Sequence, residues 1–357
     1  MKSNYDILGN HIRLIDTRNR ESITDRVLGI NIDKFFMPSV ANVIGTDLSK
    51  YKLITKGKFA CNPMHVGRDE RLPVALYDEE EPAIVSPAYF MFEVVDNSIL
   101  NEDYLMMWFR RPEFDRICWL HTDGSVRGGI TWDDICRLEL PIPPIEKQLE
   151  IVNSYKAITE RIALKKKIND NLDDTAQTLY QKYFESNSDK SSWKQGTVGD
   201  VLQLQRGHDL PRTEMTGGKY PVAGSTGTIG YHDEFTAEAP VIVMGRSGNI
   251  GNPRLYLCNC WTHNTSLYVK QIYEAEPLWV FYLLKNLNYD GFVGGSAVPT
   301  LNRNDVHAYG IAIPPLELQK SFSQKVMSLI YCKEENLSEI EKLQELQKII
   351  LTTMSSR

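Results

Sequence analysis

The chain has 357 residues, 42% of them apolar and 24% charged, which is the composition of a soluble globular protein long enough for two domains. Its formal net charge of -6 argues against a protein that coats nucleic acid regardless of sequence. Six scattered cysteines suggest no disulfide framework, no apolar run is long enough to span a membrane, and the start MKSNYDILGN is polar, so we expect a cytoplasmic protein without a membrane segment.

The first half of the chain predicts a mixed domain followed by a long helix. PAYFMFEVV (87–95) is rich in β-branched and aromatic residues and predicts a strand, whereas NEDYLMMWFR (101–110) predicts a short helix. After PIPPIEKQ (141–148), apolar residues recur every three or four positions without Gly or Pro as far as residue 195. This spacing predicts one helix of about forty residues.

The second half repeats this order. PVIVM (240–244) and SLYV (266–269) predict strands, and AEPLWVFYLLKN (275–286) predicts a short helix with Pro in its first turn. A second long helix is predicted after Pro315. Loops that carry function are often glycine-rich, and such turns occur here at GSTGTIG (224–230), GRSGNIG (245–251) and GFVGGS (291–296).

The same sequence motif ends the mixed domain in both halves of the chain. DDICRLELPIPPIEKQ (133–148) matches NDVHAYGIAIPPLELQ (304–319) at an offset of 171 residues, and the match extends upstream to Trp108 and Trp279 and downstream into both helices. The chain is therefore predicted to be a tandem duplication. The two tryptophans occupy equivalent helix positions, and we expect them in the core.

Motifs of autonomous catalysis are absent from the sequence. It contains no GxxxxGK[ST] phosphate loop, no GxGxxG between strand and helix, no [DNS]-Pro-Pro-[YF], no HExxH and no GxSxG. Cys118 with His121, and Cys258 with Cys260, come nearest to metal-ligand pairs, but no second pair completes a zinc spacing. We predict no catalytic residues and no metal site, and keep as alternatives a fused or orphan DNA-acting enzyme with a divergent active site and a protein-binding repeat scaffold.

A duplicated mixed domain plus long helix, with each domain closing on Pro-Pro-[IL]-Glu-x-Gln, resembles the specificity subunit of type I restriction-modification enzymes. GSVRGGITWDDI (124–135), its counterpart GSAVPTLNRNDV (295–306), and GRSGNIG followed by WTHNTSLYV (261–269) carry the resemblance further. The resemblance covers essentially the whole chain.

The resemblance implies an α+β fold in which two mixed α/β target recognition domains are joined by two long antiparallel α-helices in a pseudo-two-fold tandem repeat. The expected segments are target recognition domain 1 (1–145), the central spacer helix (146–190), target recognition domain 2 (191–315) and the C-terminal spacer helix (316–357).

The implied function is DNA sequence recognition without catalysis, within a DNA adenine methyltransferase and endonuclease complex. Each domain would read half of a bipartite, asymmetric site in double-stranded DNA. Two methyltransferase (M) subunits and two restriction (R) motor-nuclease subunits would dock on the chain. We therefore expect no cofactor in this chain, and S-adenosylmethionine, ATP and Mg in the partner subunits.

Arg and Lys suit guanine, Asn suits adenine, and Ser or Thr suits phosphate. On this basis the family's loops place the candidate DNA contacts at Lys56, Lys58, Arg68, Ser125, Arg127, Arg206, His208, Ser225, Thr226, Arg246, Ser247, Asn249, Arg254, His263, Asn264, Ser296, Thr300 and Arg303. The apolar stripes of the long helices place the helix-helix and partner interface at Leu149, Val152, Tyr155, Ile158, Ile162, Leu172, Leu179, Phe322, Val326, Leu329, Leu343 and Ile350.

Overall fold

The structure is a computed structural model that describes residues 4–40, 43–64, 66–122, 128–289, 293–294 and 300–354. The chain divides into two compact units. Unit 1 comprises Met1–Leu164 with Glu339–Arg357, and unit 2 comprises Lys165–Ser338. Within the described ranges, no helix has the length and apolar character needed to cross a membrane.

Short strands and helices build unit 1. Its strands are β1 (Tyr5–Ile7), β2 (Ile12–Leu14), β3 (Val27–Ile30), β4 (Phe36–Pro38), β5 (Lys52–Ile54), β6 (Phe59–Cys61), β7 (Val74–Leu76), β8 (Ala83–Val85), β9 (Phe90–Val94) and β10 (Glu139–Pro141). Its short helices are α1 (Val66–Asp69), α2 (Glu102–Phe109), α3 (Pro112–Leu120) and α4 (Trp132–Cys136), with 3₁₀ turns at Leu8–Asn10 and Leu48–Lys50. The long helix α5 (Ile145–Tyr180) begins in this unit.

Unit 2 uses the same kinds of element. Its strands are β11 (Lys194–Thr197), β12 (Leu202–Arg206), β13 (Tyr220–Gly224), β14 (Gly227–His232), β15 (Val241–Gly245), β16 (Gly251–Tyr256), β17 (Trp261–Thr262), β18 (Ser266–Ile272), β19 (Val293–Gly294), β20 (Thr300–Leu301) and β21 (Gly310–Ile313). Its helices are α6 (Pro277–Lys285), α7 (Arg303–His307) and the start of the long α8 (Leu316–Thr353), with a π-helical turn at Gln181–Glu185 and 3₁₀ turns at Ser188–Ser192, Val198–Asp200 and Arg212–Glu214.

The strand order of unit 1 recurs in unit 2. The sheet β2-β9-β6-β7 has its counterpart in β12-β18-β15-β16, and the pair β1-β10 in β11-β21. The sheet β4-β3-β8-β5 corresponds to β14-β13-β17, and the contacts β3-β8 and β13-β17 are both parallel. The duplication is therefore confirmed at the level of topology.

The elements predicted from local sequence are confirmed. Residues 87–95 contain β9, residues 101–110 contain α2, and residues 275–286 contain α6. Asn101 caps α2, because its side-chain oxygen accepts a hydrogen bond from the Tyr104 amide at 3.0 Å. Trp108 and Trp279 are both buried in the cores of their units, as expected.

The repeated glutamine explains why the mixed domain of each half ends in the same sequence motif. Gln148 is fully buried; its amide nitrogen donates to the carbonyls of Ile99 and Pro143, both at 2.8 Å, and its oxygen accepts from the Asn101 amide at 2.9 Å. Each such bond satisfies a buried backbone group. The glutamine therefore ties the start of the long helix to the start of α2.

Gln319 repeats this arrangement in unit 2. Its amide nitrogen donates to the carbonyl of Pro314 at 2.8 Å, and its oxygen accepts from the amide of Glu276, the N-cap residue of α6, at 2.9 Å. In both units the last residue of the repeated motif, a glutamine, joins the long helix to a short helix of the domain.

The long helices pair antiparallel within each unit. In unit 1, Arg161 pairs with Glu339, and Gln347 donates to Thr159 at 2.7 Å. Residue numbers therefore fall along one helix as they rise along the other. The predicted antiparallel helices are confirmed.

The unit 2 part of the helix pair follows the same pattern. Lys165 donates to the side-chain oxygen of Asn336 at 2.8 Å, and Lys333 pairs with Asp173 at 2.5 Å. Asn336 in turn donates to Asn169 at 2.8 Å, and both asparagines are buried.

The apolar stripes serve two kinds of contact. Val152 packs into the core of unit 1, and Phe322 and Val326 pack into the core of unit 2. Ile162 is buried, whereas the half-buried stripe residues are Tyr155, Ile158, Leu172, Leu179, Leu329, Leu343 and Ile350. The helices thus pack on the domain of each unit as well as on each other.

Leu149 lies on the solvent-facing side of its helix. It is 41% exposed, because the inward position of this turn is taken by Gln148 and the next residue lies about 100° round the helix. Leu149 therefore contributes no buried helix-helix contact within the chain.

Candidate nucleic-acid interface

In unit 2 the glycine-rich segments meet at one edge of the domain. We define the glycine-rich edge as the ends of β12, β13 and β15, the start of β18, and the loops that follow them. Thr265 lies at its centre: its carbonyl accepts from the Arg246 amide at 3.0 Å, and its hydroxyl accepts from the Ser225 amide at 3.3 Å. Residues far apart in sequence therefore share this edge.

Glycine is required at the tightest point of the edge. A Cβ at Gly245 would lie 1.5 Å from the carbonyl oxygen of Asn249, so no other residue fits without moving the loop. Arg246 and Ser247 follow immediately, and Ser247 forms an isolated antiparallel bridge with Thr300. The close turn places the Arg246 side chain at the rim.

Several predicted contact residues are already bonded within the protein. Asn249 donates to the carbonyl of Ser225 at 3.1 Å, and its oxygen accepts from Asn252 at 2.8 Å. Asn264 donates to Asp209, towards which Arg206 also lies at 3.9 Å. These side chains stabilise the loops in the observed conformation.

Both predicted histidines lie at this edge. His208 and His263 form a parallel β-bridge, and the His208 amide donates to the carbonyl of Thr262 at 2.7 Å. The His208 side chain is exposed, whereas the His263 ring nitrogen Nδ1 lies 2.9 Å from the Thr265 hydroxyl. His208 is therefore the more accessible of the two.

Another group of predicted residues is not engaged in this way. Among the residues that the structure describes, the side chains of Thr226, Arg246, Arg254 and Arg303 form no hydrogen bond or ion pair. Thr226, Arg254 and Arg303 are exposed, and Arg246 is half-buried. Unpaired donors at a rim suit contacts with base edges or phosphates.

One residue that sequence reasoning did not select supports this edge. The ring nitrogen Nε2 of His307 accepts a hydrogen bond from the Leu204 amide at 2.8 Å, which joins α7 to β12. Partial burial and the neighbouring Arg303 guanidinium lower the pKa of His307, so the neutral ring that this bond requires is favoured. Arg303 and His307 are four residues apart, and this spacing in the sequence already indicates that they share one face of a helix.

In unit 1 the three predicted cations that lie within the described residues are paired with carboxylates. Lys56 pairs with Glu80, Lys58 with Glu93, and the guanidinium of Arg68 with Asp69 at 2.7 and 2.9 Å. The carboxylate partners raise the pKa of Lys56 and of Arg68. Each cation would have to leave its partner to contact a phosphate directly.

Three predicted contact residues, Ser125, Arg127 and Ser296, lie outside the described residues. No group of three His, Cys, Asp or Glu side chains in the described ranges is arranged to hold a metal ion.

Residues 190–349, most of unit 2 with part of α8, match the family model described as Type I restriction modification DNA specificity domain. This part of the chain is therefore similar to a type I DNA specificity domain. The resemblance to type I specificity subunits predicted from the repeated phrase is confirmed, and DNA recognition is the function of this family.

Two curated relatives agree with this assignment. The chain is 21% identical to the putative type I restriction enzyme MjaX specificity subunit of Methanocaldococcus jannaschii, over 98% of this chain and 88% of the relative. It is 24% identical to the type I restriction enzyme HindI specificity subunit of Haemophilus influenzae, over 53% of this chain and 40% of that protein.

Two solved structures share the fold of this chain. The S subunit of a type I restriction-modification system from M. genitalium aligns with a TM-score of 0.62 at 16% identity, covering 100% of this chain and 97% of that one. A chain from a structure on complex assembly and conformational transition of the type I R-M system aligns with a TM-score of 0.51 at 16% identity, over 98% and 96%.

Proposed function

We propose that this chain reads a bipartite, asymmetric DNA site, with one half-site recognised by each unit. The observation that carries the proposal is that one strand order occurs twice with different loops upon it. In unit 2 the reading surface is the glycine-rich edge. In unit 1, α3 lies between α2 and α4, whereas no described helix lies between the corresponding α6 and α7.

Two recognition domains discriminate between DNA sites better than one domain does. A mismatched base pair costs roughly 1–3 kcal/mol, so one small domain discriminates weakly between sites. Two domains in one chain add their contributions, and different loops read different sequences. Loops that diverge on a shared strand order therefore support an asymmetric target.

The chain is further proposed to dock two methyltransferase subunits and two restriction subunits, and to work in the cytoplasm on cellular DNA. S-adenosylmethionine, ATP and Mg would be bound by those partners. Two features of this chain support dependence on a partner: its net charge is -6, and the predicted cations Lys56, Lys58 and Arg68 of unit 1 are neutralised by carboxylates. A chain that releases few counterions binds DNA weakly by itself.

Methylome sequencing of the host tests the proposal. Arg246→Ala should relax one half of the methylated motif and leave the other half intact, because a good bidentate base contact contributes roughly 1–3 kcal/mol. Lys270→Ala, at an exposed position on β18 of the same unit, is the matched control. Relaxation of both halves by Arg246→Ala would contradict independent readers.

A further inference from the structure

A basic cleft lies beside the glycine-rich edge in unit 2. It has a volume of about 480 Å³ and lies where the start of β16 meets the end of α6. Its polar lining consists of Asn249, Asn252, Arg254, Lys285 and Tyr289, and apolar side chains complete the wall. We call this feature the basic cleft.

The wall of the cleft is held by close packing. A Cβ at Gly251 would lie 2.8 Å from the ring of Tyr289, so the ring packs directly on the backbone of this glycine. The Tyr289 hydroxyl donates to the carbonyl of Leu284 at 2.6 Å, which ties the same ring to α6. The two sides of the cleft therefore keep a defined separation.

The charge of the basic cleft distinguishes it from a larger cleft in unit 1. Arg254 and Lys285 line it, and its lining contains no carboxylate. A larger cleft in unit 1, of about 700 Å³, has four cations among its lining residues together with four carboxylates. In a chain of net charge -6, the basic cleft is a concave surface with two positive charges and no balancing acid.

The two asparagines do not supply the ligand groups. Asn252 donates to the side-chain oxygen of Asn249, which itself donates to the Ser225 carbonyl. The guanidinium of Arg254 lies along the turn at Gly227, where an added Cβ would be 3.1 Å away, and the Lys285 ammonium lies 5.5 Å from the centre of the Tyr282 ring. Within the described ranges, neither cation forms an ion pair.

We propose that the basic cleft binds a phosphate of the DNA strand that the glycine-rich edge reads, and so anchors unit 2 independently of sequence. The proposal rests on the proposed function. Phosphate is favoured over a base edge because the cleft offers two charged donors while the amide nitrogens of Asn249 and Asn252 already donate within the protein, and Arg and Lys together suit an anion with several oxygens.

Binding to two duplexes tests the cleft. The full-length chain, assembled with its methyltransferase subunits, is titrated into a fluorescent duplex carrying the methylated motif and into a scrambled duplex, from about 50 mM to about 200 mM salt. The variants are Arg254→Gln, Lys285→Gln and the double variant, and Lys270→Gln is the control. Circular dichroism melting checks that each variant is folded.

Both duplexes should lose affinity equally in the Arg254 and Lys285 variants. Since one phosphate contact contributes about 0.9 to the logarithmic salt slope, wild-type affinity should fall about 3.5-fold more across this salt range than that of the double variant, which loses the whole contact. For either single variant, which keeps one cation in the cleft, the difference should be smaller than for the double variant. Lys270→Gln should bind like the wild type.

Three outcomes would overturn the proposal. A loss confined to the motif duplex would make the cleft a base reader, and unchanged binding with an unchanged salt slope would show that it is not used. A loss of methyltransferase binding with normal DNA affinity would assign it to an acidic protein segment. Failure of the wild-type chain to bind either duplex in the presence of its methyltransferase subunits would instead refute the proposed function itself.

Discussion

Replacing Gln319 by Leu should destabilise unit 2 strongly, although the two side chains have similar volumes. Gln319 is 1% exposed and satisfies the amide of Glu276 and the carbonyl of Pro314. Leu would fill the space but leave both backbone groups buried without a partner. Each unsatisfied group costs roughly 1–3 kcal/mol, so the free energy of unfolding should fall by about 2–6 kcal/mol.

Urea denaturation followed by circular dichroism measures this effect. With a denaturant slope of about 2 kcal/mol per molar, the midpoint should fall by about 1–3 M. Gln324→Leu is the matched control, since this exposed glutamine lies five residues further along the same helix. Gln148→Leu should destabilise unit 1 at least as much, because it removes three bonds. Equal midpoints for Gln319→Leu and Gln324→Leu would refute the reasoning.

Three further predictions concern the two long helices and His307 of unit 2. Asn336→Leu should lower the free energy of unfolding by about 1–3 kcal/mol, because it leaves the buried side-chain amide of Asn169 without its hydrogen-bond partner. The double variant with Asn169→Leu should recover part of this loss. A double variant less stable than the single one would contradict the prediction. Burial lowers the pKa of His307, so the folded ring stays neutral where the unfolded one takes up a proton: stability should fall as pH drops below about 6.5, and His307→Gln should remove that part of the pH dependence in urea titrations. Insertion of four helix-forming residues both after Leu164 and after Ser338 adds about 6 Å of rise to each helix while leaving each unit's own helix contacts in register. Under the proposed function the unread gap in the methylated motif should then lengthen by about one to two base pairs, at 3.4 Å each, and an unchanged gap with retained methylation would refute the spacer role.

Local sequence determined the framework of this protein. Apolar residues at steps of three and four, with neither Gly nor Pro, specify α5 and α8, because helical periodicity is set by near neighbours in the chain. The Pro-Pro pairs mark where each long helix begins, and the offset of 171 residues indicated the duplication. The buried tryptophans followed from the same repeat.

Tertiary structure decided which candidate side chains are available to a ligand. Lys58 was a candidate DNA contact in the sequence, but it pairs with Glu93, 35 residues away, on a neighbouring strand. Asn249 was a candidate base reader, yet its amide is bonded to Ser225 across the glycine-rich edge. Lys285 was not a candidate in the sequence, but the packing of α6 places it in one cleft with Arg254. Whether a charge is paired or exposed depends on strand register and helix packing between distant segments, and that information is absent from the local pattern of the chain.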